Sequence, residues 1–280
     1  MAQAPVRRRY VNGRHGQLHL YLAGSQIDAR RRALVCFHMS PFSGRMFEPL
    51  LAQMGTDRLA LAPDTPGYGL SDPPPAPLSI PDYAAALGDA VDALNLGEID
   101  LMGAHTGSRI AVEFALRRPE QVKHLVLLGC AIYTKEERAS QKRWTRDALK
   151  PLADGDGTHL ISVWNSWARW RWPGVTDAMI ERWMSDALID RVRGNWAMEA
   201  ALGHDLMSRL PRVDQPVLIL NAADDIYEPT KRAPQYLKMA RLVDLAPAGL
   251  WYLDVKPAEA AKLIRSFVDD EFSSSEASMR

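Results

Sequence analysis

Residues Ile99–Val122 read IDLMGAHTGSRIAVEFALRRPEQV, and this stretch decides the fold. Ile99–Gly103 is a short apolar run of the kind that forms a strand buried on both faces. A helix follows through Arg118, and Gly103 and Gly107 bracket a sharp turn between the two. The residue at the tip of that turn is His105.

Outward from this unit the same alternation repeats. QLHLYLAG (17–24) reads as an early antiparallel strand paired with the YVN segment before it, and RALVCFHM as a doubly buried strand. A helical segment at Arg45–Met54 precedes RLALAPDTPGYG, a buried strand running into a Gly/Pro-rich loop. Pro81–Leu94 places Tyr83, Leu87, Val91 and Leu94 on one helical face. Lys123–Gly129, PVLILNAADD and RLVDLAP are further strands, and PAEAAKLIRSFVDD is a closing helix. Strands and helices in alternation imply a mostly parallel, eight-stranded sheet covered on both faces, an α/β architecture.

The alternation stops near Tyr133 and resumes at Gln215. Between them the periodicity is helical, and seven of the eight tryptophans fall there: Trp144, Trp164, Trp167, Trp170, Trp172, Trp183 and Trp196. The expected organisation is a core of residues 1–132 and 214–272, a Trp-rich helical cap at 133–213 over the C-terminal ends of the strands, and a polar, flexible tail at 273–280.

Composition excludes several classes. The chain has 280 residues with a formal net charge of +0, which gives no electrostatic case for nucleic acid or an anionic membrane. MAQAPVRRRYVNGRHGQ carries no apolar segment behind its basic residues, and no run approaches a membrane span, so a cytoplasmic protein is expected. Cys36 and Cys130 both sit in or at the end of apolar runs and read as buried free thiols. The expected partner is a small molecule; a homodimer is left open.

FHMSP (37–41), APDTPGYGLSD (62–72), GAHTGS (103–108), RRPEQVKHLVLL (117–128) and PVLILNAADDIYEP (216–229) together resemble the α/β-hydrolase superfamily across roughly residues 30–270. The resemblance implies that GAHTGS is the nucleophile elbow, where the family pattern G-x-S-x-G carries its serine. It places the acid at Asp225, with Asp224 beside it, and the oxyanion-hole N–H groups at Thr106 and Ser40.

The departures from the pattern carry more information. His105 stands where the serine belongs, and Gly249-Leu250 replaces the family's Gly-His pair, so Leu250 occupies the position of the base. His38-Met39-Ser40-Pro41 lacks the glycine of the usual oxyanion segment. An acyl-serine mechanism therefore has neither its nucleophile nor its base. A longer imidazole at the tip reaches into the space left by the missing base, and the expectation is a His105–Asp225 dyad that activates water, abstracts a proton or attacks directly.

Each candidate has a plainer counterpart. His38 belongs to loop packing, and Ser40, Ser108 and Cys130 are better explained as loop or core than as displaced nucleophiles. His204 is a candidate substitute base or a helix-end residue. Trp164, Trp167 and Trp251 are candidate pocket walls, although most tryptophans here anchor the cap. Arg169, Arg171 and Arg182 are candidate partners for a substrate carboxylate. No spacing supports a metal site from His38, His105 and Asp225, and no cofactor is expected. The leading expectation is a cofactor-independent hydrolase of a hydrophobic or aromatic carbonyl compound. A carbon–carbon lyase, an isomerase and a non-catalytic ligand-binding protein are the alternatives.

Overall fold

In the computed structural model the described residues are 3–25, 31–148, 156–189, 195–245 and 248–269, less the side chains of 144 and 146–148. The expected tail at 273–280, the Trp144 side chain and parts of the 133–213 segment lie outside them. Eight strands form one sheet: β1 (Val6–Gly13), β2 (Gly16–Ala23), β3 (Ala33–Phe37), β4 (Ala60–Pro63), β5 (Ile99–Ala104), β6 (Val122–Leu128), β7 (Val217–Asn221) and β8 (Ala240–Asp244). Their order is β1-β2-β4-β3-β5-β6-β7-β8. β1 and β2 are an antiparallel hairpin, β2 joins β4 antiparallel, and every pairing from β4 to β8 is parallel.

The central strands are apolar throughout because both of their faces are covered. Leu34 and Cys36 of β3, Met102 and Ala104 of β5, and Leu218 and Leu220 of β7 belong to one core cluster. Their alternate neighbours Val35, Phe37, Leu101, Val217 and Ile219 belong to another. That period of two is the pleat of the strand. The first cluster packs under α1 (Glu48–Met54); the second packs under α2 (Ile80–Ala93) and α3 (Thr106–Arg117).

The expected single helix at Arg45–Met54 divides into a 3-10 turn, Gly44–Phe47, and α1. Pro49 has no N–H to give, so it fits only in the first turn, where none is needed, and the α-helix begins beside it. α2 starts with a capping box in which the Ser79 hydroxyl and the Asp82 backbone and side chain bond reciprocally.

Between β6 and β7 the described chain is helical, as its periodicity implies: α4 (Lys135–Ala148), α5 (Thr158–Ala168), α6 (Asp177–Ile189), α7 (Trp196–Gly203) and α8 (Leu206–Arg209). α9 (Tyr227–Thr230) follows β7, and α10 (Tyr252–Val255) and α11 (Pro257–Val268) end the described chain. α11 joins α1 in the first cluster through Ile264 and Phe267. An aromatic stack fixes the helical segment to the core: Trp167 and Trp183 flank Phe42 at 4.7 and 4.5 Å between ring centres, and Trp183 lies 4.1 Å from Trp251. Among the described residues no helix is long and apolar enough to cross a membrane.

Candidate active site

The C-terminal ends of β3, β5, β6 and β7 point to the same side, where ligands bind in open parallel sheets. Loops leaving these ends and helices α4 to α7 enclose a cavity of about 420 Å³. Its wall includes Ser40 and Phe42 after β3, His105 and Thr106 after β5, Ala131 and Tyr133 after β6, and Asp225 after β7.

His105 joins β5 to α3 with φ 48° and ψ −105°, a positive φ that among the described non-glycine residues only Asn95 shares. Such a conformation costs free energy and is held by its surroundings. Its N–H donates to the Leu128 carbonyl at 2.9 Å, and its carbonyl accepts from Ser108 N at 3.0 Å. Gly107 is required because a Cβ there would stand 2.1 Å from the Phe37 carbonyl oxygen. The start of α3 is thereby pressed against β3, and the imidazole is presented to the cavity.

The carboxylate that meets His105 is Asp224, not the expected Asp225. His105 Nε2 lies 3.0 Å from Asp224 Oδ2, and the other Asp224 oxygen accepts the Ile226 N–H at 2.9 Å. That second bond is an Asx-type turn, which swings the Asp224 side chain inward, where it is 2% exposed. Asp225, one residue on, faces the cavity instead. The sequence pattern locates the loop; the local turn selects which of two adjacent carboxylates is the partner.

With Nε2–H donating to Asp224, Nδ1 is left as the basic nitrogen, and the side chain keeps 17% of its surface open. Gly129, at φ 76°, makes room for the ring: a Cβ there would come within 3.2 Å of His105 Cδ2. Burial opposes charge on the imidazole, but the charge and hydrogen bond of Asp224, with Asp225 nearby, outweigh it and hold the pKa above its ordinary value. Desolvation pushes the Asp225 carboxyl up; the His105 charge opposes this and the Asp224 charge adds to it.

The two residues expected to supply oxyanion N–H groups, Ser40 and Thr106, both stand in the cavity wall. Leu250 and Trp167 also line it. Four other candidates do not. His38 is buried, with Nδ1 3.0 Å from the Met39 carbonyl and Nε2 accepting from Thr65 N at 2.8 Å, so it ties two loops together. His204 pairs through Nε2 with Glu113 of α3 at 2.8 Å, a contact that fixes the end of α7 away from the cavity wall. Trp251 is fully buried under Trp183, and Trp164 packs against the core.

The displaced-nucleophile alternatives have structural partners too. Ser108 Oγ donates to the Gly103 carbonyl at 2.9 Å and Ser40 Oγ to the Tyr68 hydroxyl at 3.0 Å. Burial pushes the Cys130 thiol up to about 12. Cys36 and Cys130 are free and buried. Of the three arginines singled out in sequence, only Arg169 reaches the cavity wall; Arg171 pairs with Asp177 and Arg182 with Asp254. Among the described residues one group gathers ligand atoms closely enough for a metal ion: His105, Asp224 and Asp225, within 4.8 Å of one another. His38 takes no part, and a metal would have to displace the His105–Asp224 hydrogen bond. Sequence reasoning missed Arg109, a cation one helical turn beyond His105 that also lines the cavity. Its signal was a charge set four residues after the elbow tip, between the small residues that open the helix and the apolar run Ile110–Val112.

The family described as alpha/beta hydrolase fold matches residues 33–177. The 2-(acetamidomethylene)succinate hydrolase of Mesorhizobium japonicum is 27% identical over 256 residues, covering 84% of this chain and 87% of that protein. An uncharacterized protein of Mycobacterium bovis is 24% identical over 227 residues; the match takes in 81% of this chain but spans only 58% of the relative's length. A solved structure of a hydrolase from Pseudomonas aeruginosa has a TM-score of 0.79 at 19% identity, covering 94% of this chain and 99% of that one.

Proposed function

Because this chain belongs to the α/β-hydrolase fold family, we propose that it hydrolyses a small or medium-sized hydrophobic carbonyl compound with a His105–Asp224 dyad in place of a serine-based triad. The observation that carries this reading is the 3.0 Å contact between His105 Nε2 and Asp224, which leaves Nδ1 as the base beside a largely apolar cavity. In the proposed reaction Nδ1 takes a proton from water as its oxygen attacks the carbonyl carbon. Negative charge then gathers on the carbonyl oxygen, against the backbone N–H groups of Thr106 and Ser40. Nδ1–H returns the proton to the leaving group, and Asp224 stabilises the imidazolium between the two transfers. The helices between β6 and β7 act in this scheme as a cap that limits the entry of bulk water. The Mesorhizobium relative, named for hydrolysis of 2-(acetamidomethylene)succinate, supports the reaction class.

The experiment is turnover of a panel of esters, amides and enol compounds by the wild-type protein and by His105→Ala. Loss of general-base catalysis is expected to cost about 10²–10⁴-fold, with no acyl adduct on the intact wild-type protein during turnover. Equal turnover by His105→Ala would refute the dyad, and an adduct on His105 would make it a nucleophile. Leu250 in the cavity wall, where a base would stand, favours a second reading in which the protein binds without reacting. Ligands recovered unchanged across the whole panel would support that one.

A further inference from the structure

Arg109 is 7% exposed, yet no carboxylate among the described residues lies within ion-pair distance of it. Its Nη2 donates to the Ala131 carbonyl at 2.9 Å, and its Cζ stands 6.0 Å from the centre of the Tyr133 ring. These are its only described partners, and a guanidinium carries five N–H donors. The chain treats another buried arginine differently. Arg58, 1% exposed, is held by Asp269 at 2.7 and 2.9 Å and by Asp57 at 3.3 Å. A buried charge without a counter-charge is costly, so a partner for Arg109 is the missing element. The side on which it lies open is the cavity.

We propose that Arg109 is the carboxylate subsite of this cavity, and that the ligand is a small carboxylic acid bound by the guanidinium fork with its reacting carbonyl at His105. Arginine suits this role because its planar pair of N–H groups matches the two oxygens of a carboxylate. One helical turn separates His105 from Arg109, roughly 6 Å along the helix axis. A single short molecule therefore reaches both. Phe42, Val163, Trp167, Met198, Leu202 and Leu250 supply apolar walls for its body. Arg169 does not do the same work: it is exposed, with its guanidinium 5.4 Å from the centre of the Trp170 ring, and stays hydrated. The second half of the proposal, the carbonyl at His105, rests on the reaction proposed above; the anion subsite does not.

Benzoate, 3-phenylpropionate and 4-phenylbutyrate, each against its own carboxamide, are the probes, with binding measured by calorimetry. The wild-type protein is expected to bind at least one acid on the order of 10–100-fold more tightly than its amide, the size of a charge-assisted hydrogen-bond pair. Arg109→Gln should abolish the preference and Arg169→Gln should leave most of it. Arg109→Lys keeps the charge without the fork and should show a reduced preference, which decides the matter if Arg109→Gln does not fold. No acid preference in the wild-type protein, an undiminished preference in the Arg109 variants, or its loss in Arg169→Gln instead would overturn the subsite. His105→Ala separates the two ideas: it should retain the acid preference whether or not His105 proves to be the base.

Discussion

At the scale of single residues, the site turns on two adjacent carboxylates in different surroundings. Asp224 has one oxygen on the Ile226 N–H and the other on the imidazole, and it holds the His105 pKa up against burial. Asp224→Asn is expected to lower the His105 titration midpoint, read by NMR of the ring protons, from above the ordinary 6.5 toward or below it. Because the folded-state value is raised, the pair stabilises the protein fully below the unfolded imidazole pKa, and this contribution is lost as pH rises through the folded value. The wild-type advantage in unfolding free energy over His105→Ala should shrink along that rise. Asp225 behaves in the opposite way. Its ionised form is disfavoured by desolvation and by Asp224, so Asp225→Asn is expected to raise the melting temperature at pH 7, with the gain vanishing at pH 3, where both proteins carry a neutral group. The sequence pattern pointed to Asp225 as the partner of His105, and the structure has Asp224 there instead, because a pattern position does not separate adjacent residues of one loop and only the Asx turn tells them apart. Arg109 escaped notice for a related reason: an arginine near the start of a helix is ordinary until its burial and lack of a counter-charge are visible.

At the scale of elements, the elbow is the unit that local chemistry constrains most tightly. Gly107→Ala would bring a methyl group to 2.1 Å from the Phe37 carbonyl, backbone against backbone, where no side chain can swing away. The expected cost is about 1–3 kcal/mol, measured by urea denaturation, together with a displaced imidazole and weakened catalysis. This strand–turn–helix was legible from IDLMGAHTGS alone, and so were the doubly buried strands, since their continuous apolar runs have few alternatives. Other elements were less so. The 3-10 turn at Gly44–Phe47 looked like the start of α1 because both periods fit so short a stretch, and only the demand of Pro49 for a first-turn position separates them. α10, four residues long, is too short for any periodicity to register.

At the scale of the whole molecule, the helices between β6 and β7 are joined to the sheet through aromatic rings and a few buried charges. Trp183 is 2% exposed and contacts Phe42, Trp167 and Trp251. Trp183→Ala is expected to destabilise the protein by about 3–5 kcal/mol, measured by denaturant unfolding. The lost helix anchoring should also show as faster amide exchange in α5 and α6. The tryptophan count announced a packed helical segment, but which rings would face the cavity depended on how the helices rotate against the core, and that is a tertiary outcome. The stack has an optical consequence as well. Trp167 lines the ligand space and lies 6.3 Å from Trp183, which in turn lies 4.1 Å from Trp251. Indoles this close share their excitation, so a molecule that quenches or shifts Trp167 also alters light emitted from the core. The protein thus carries a built-in, label-free reporter of cavity occupancy, and a library of unmodified acids can be screened by its ultraviolet fluorescence before the reaction is known.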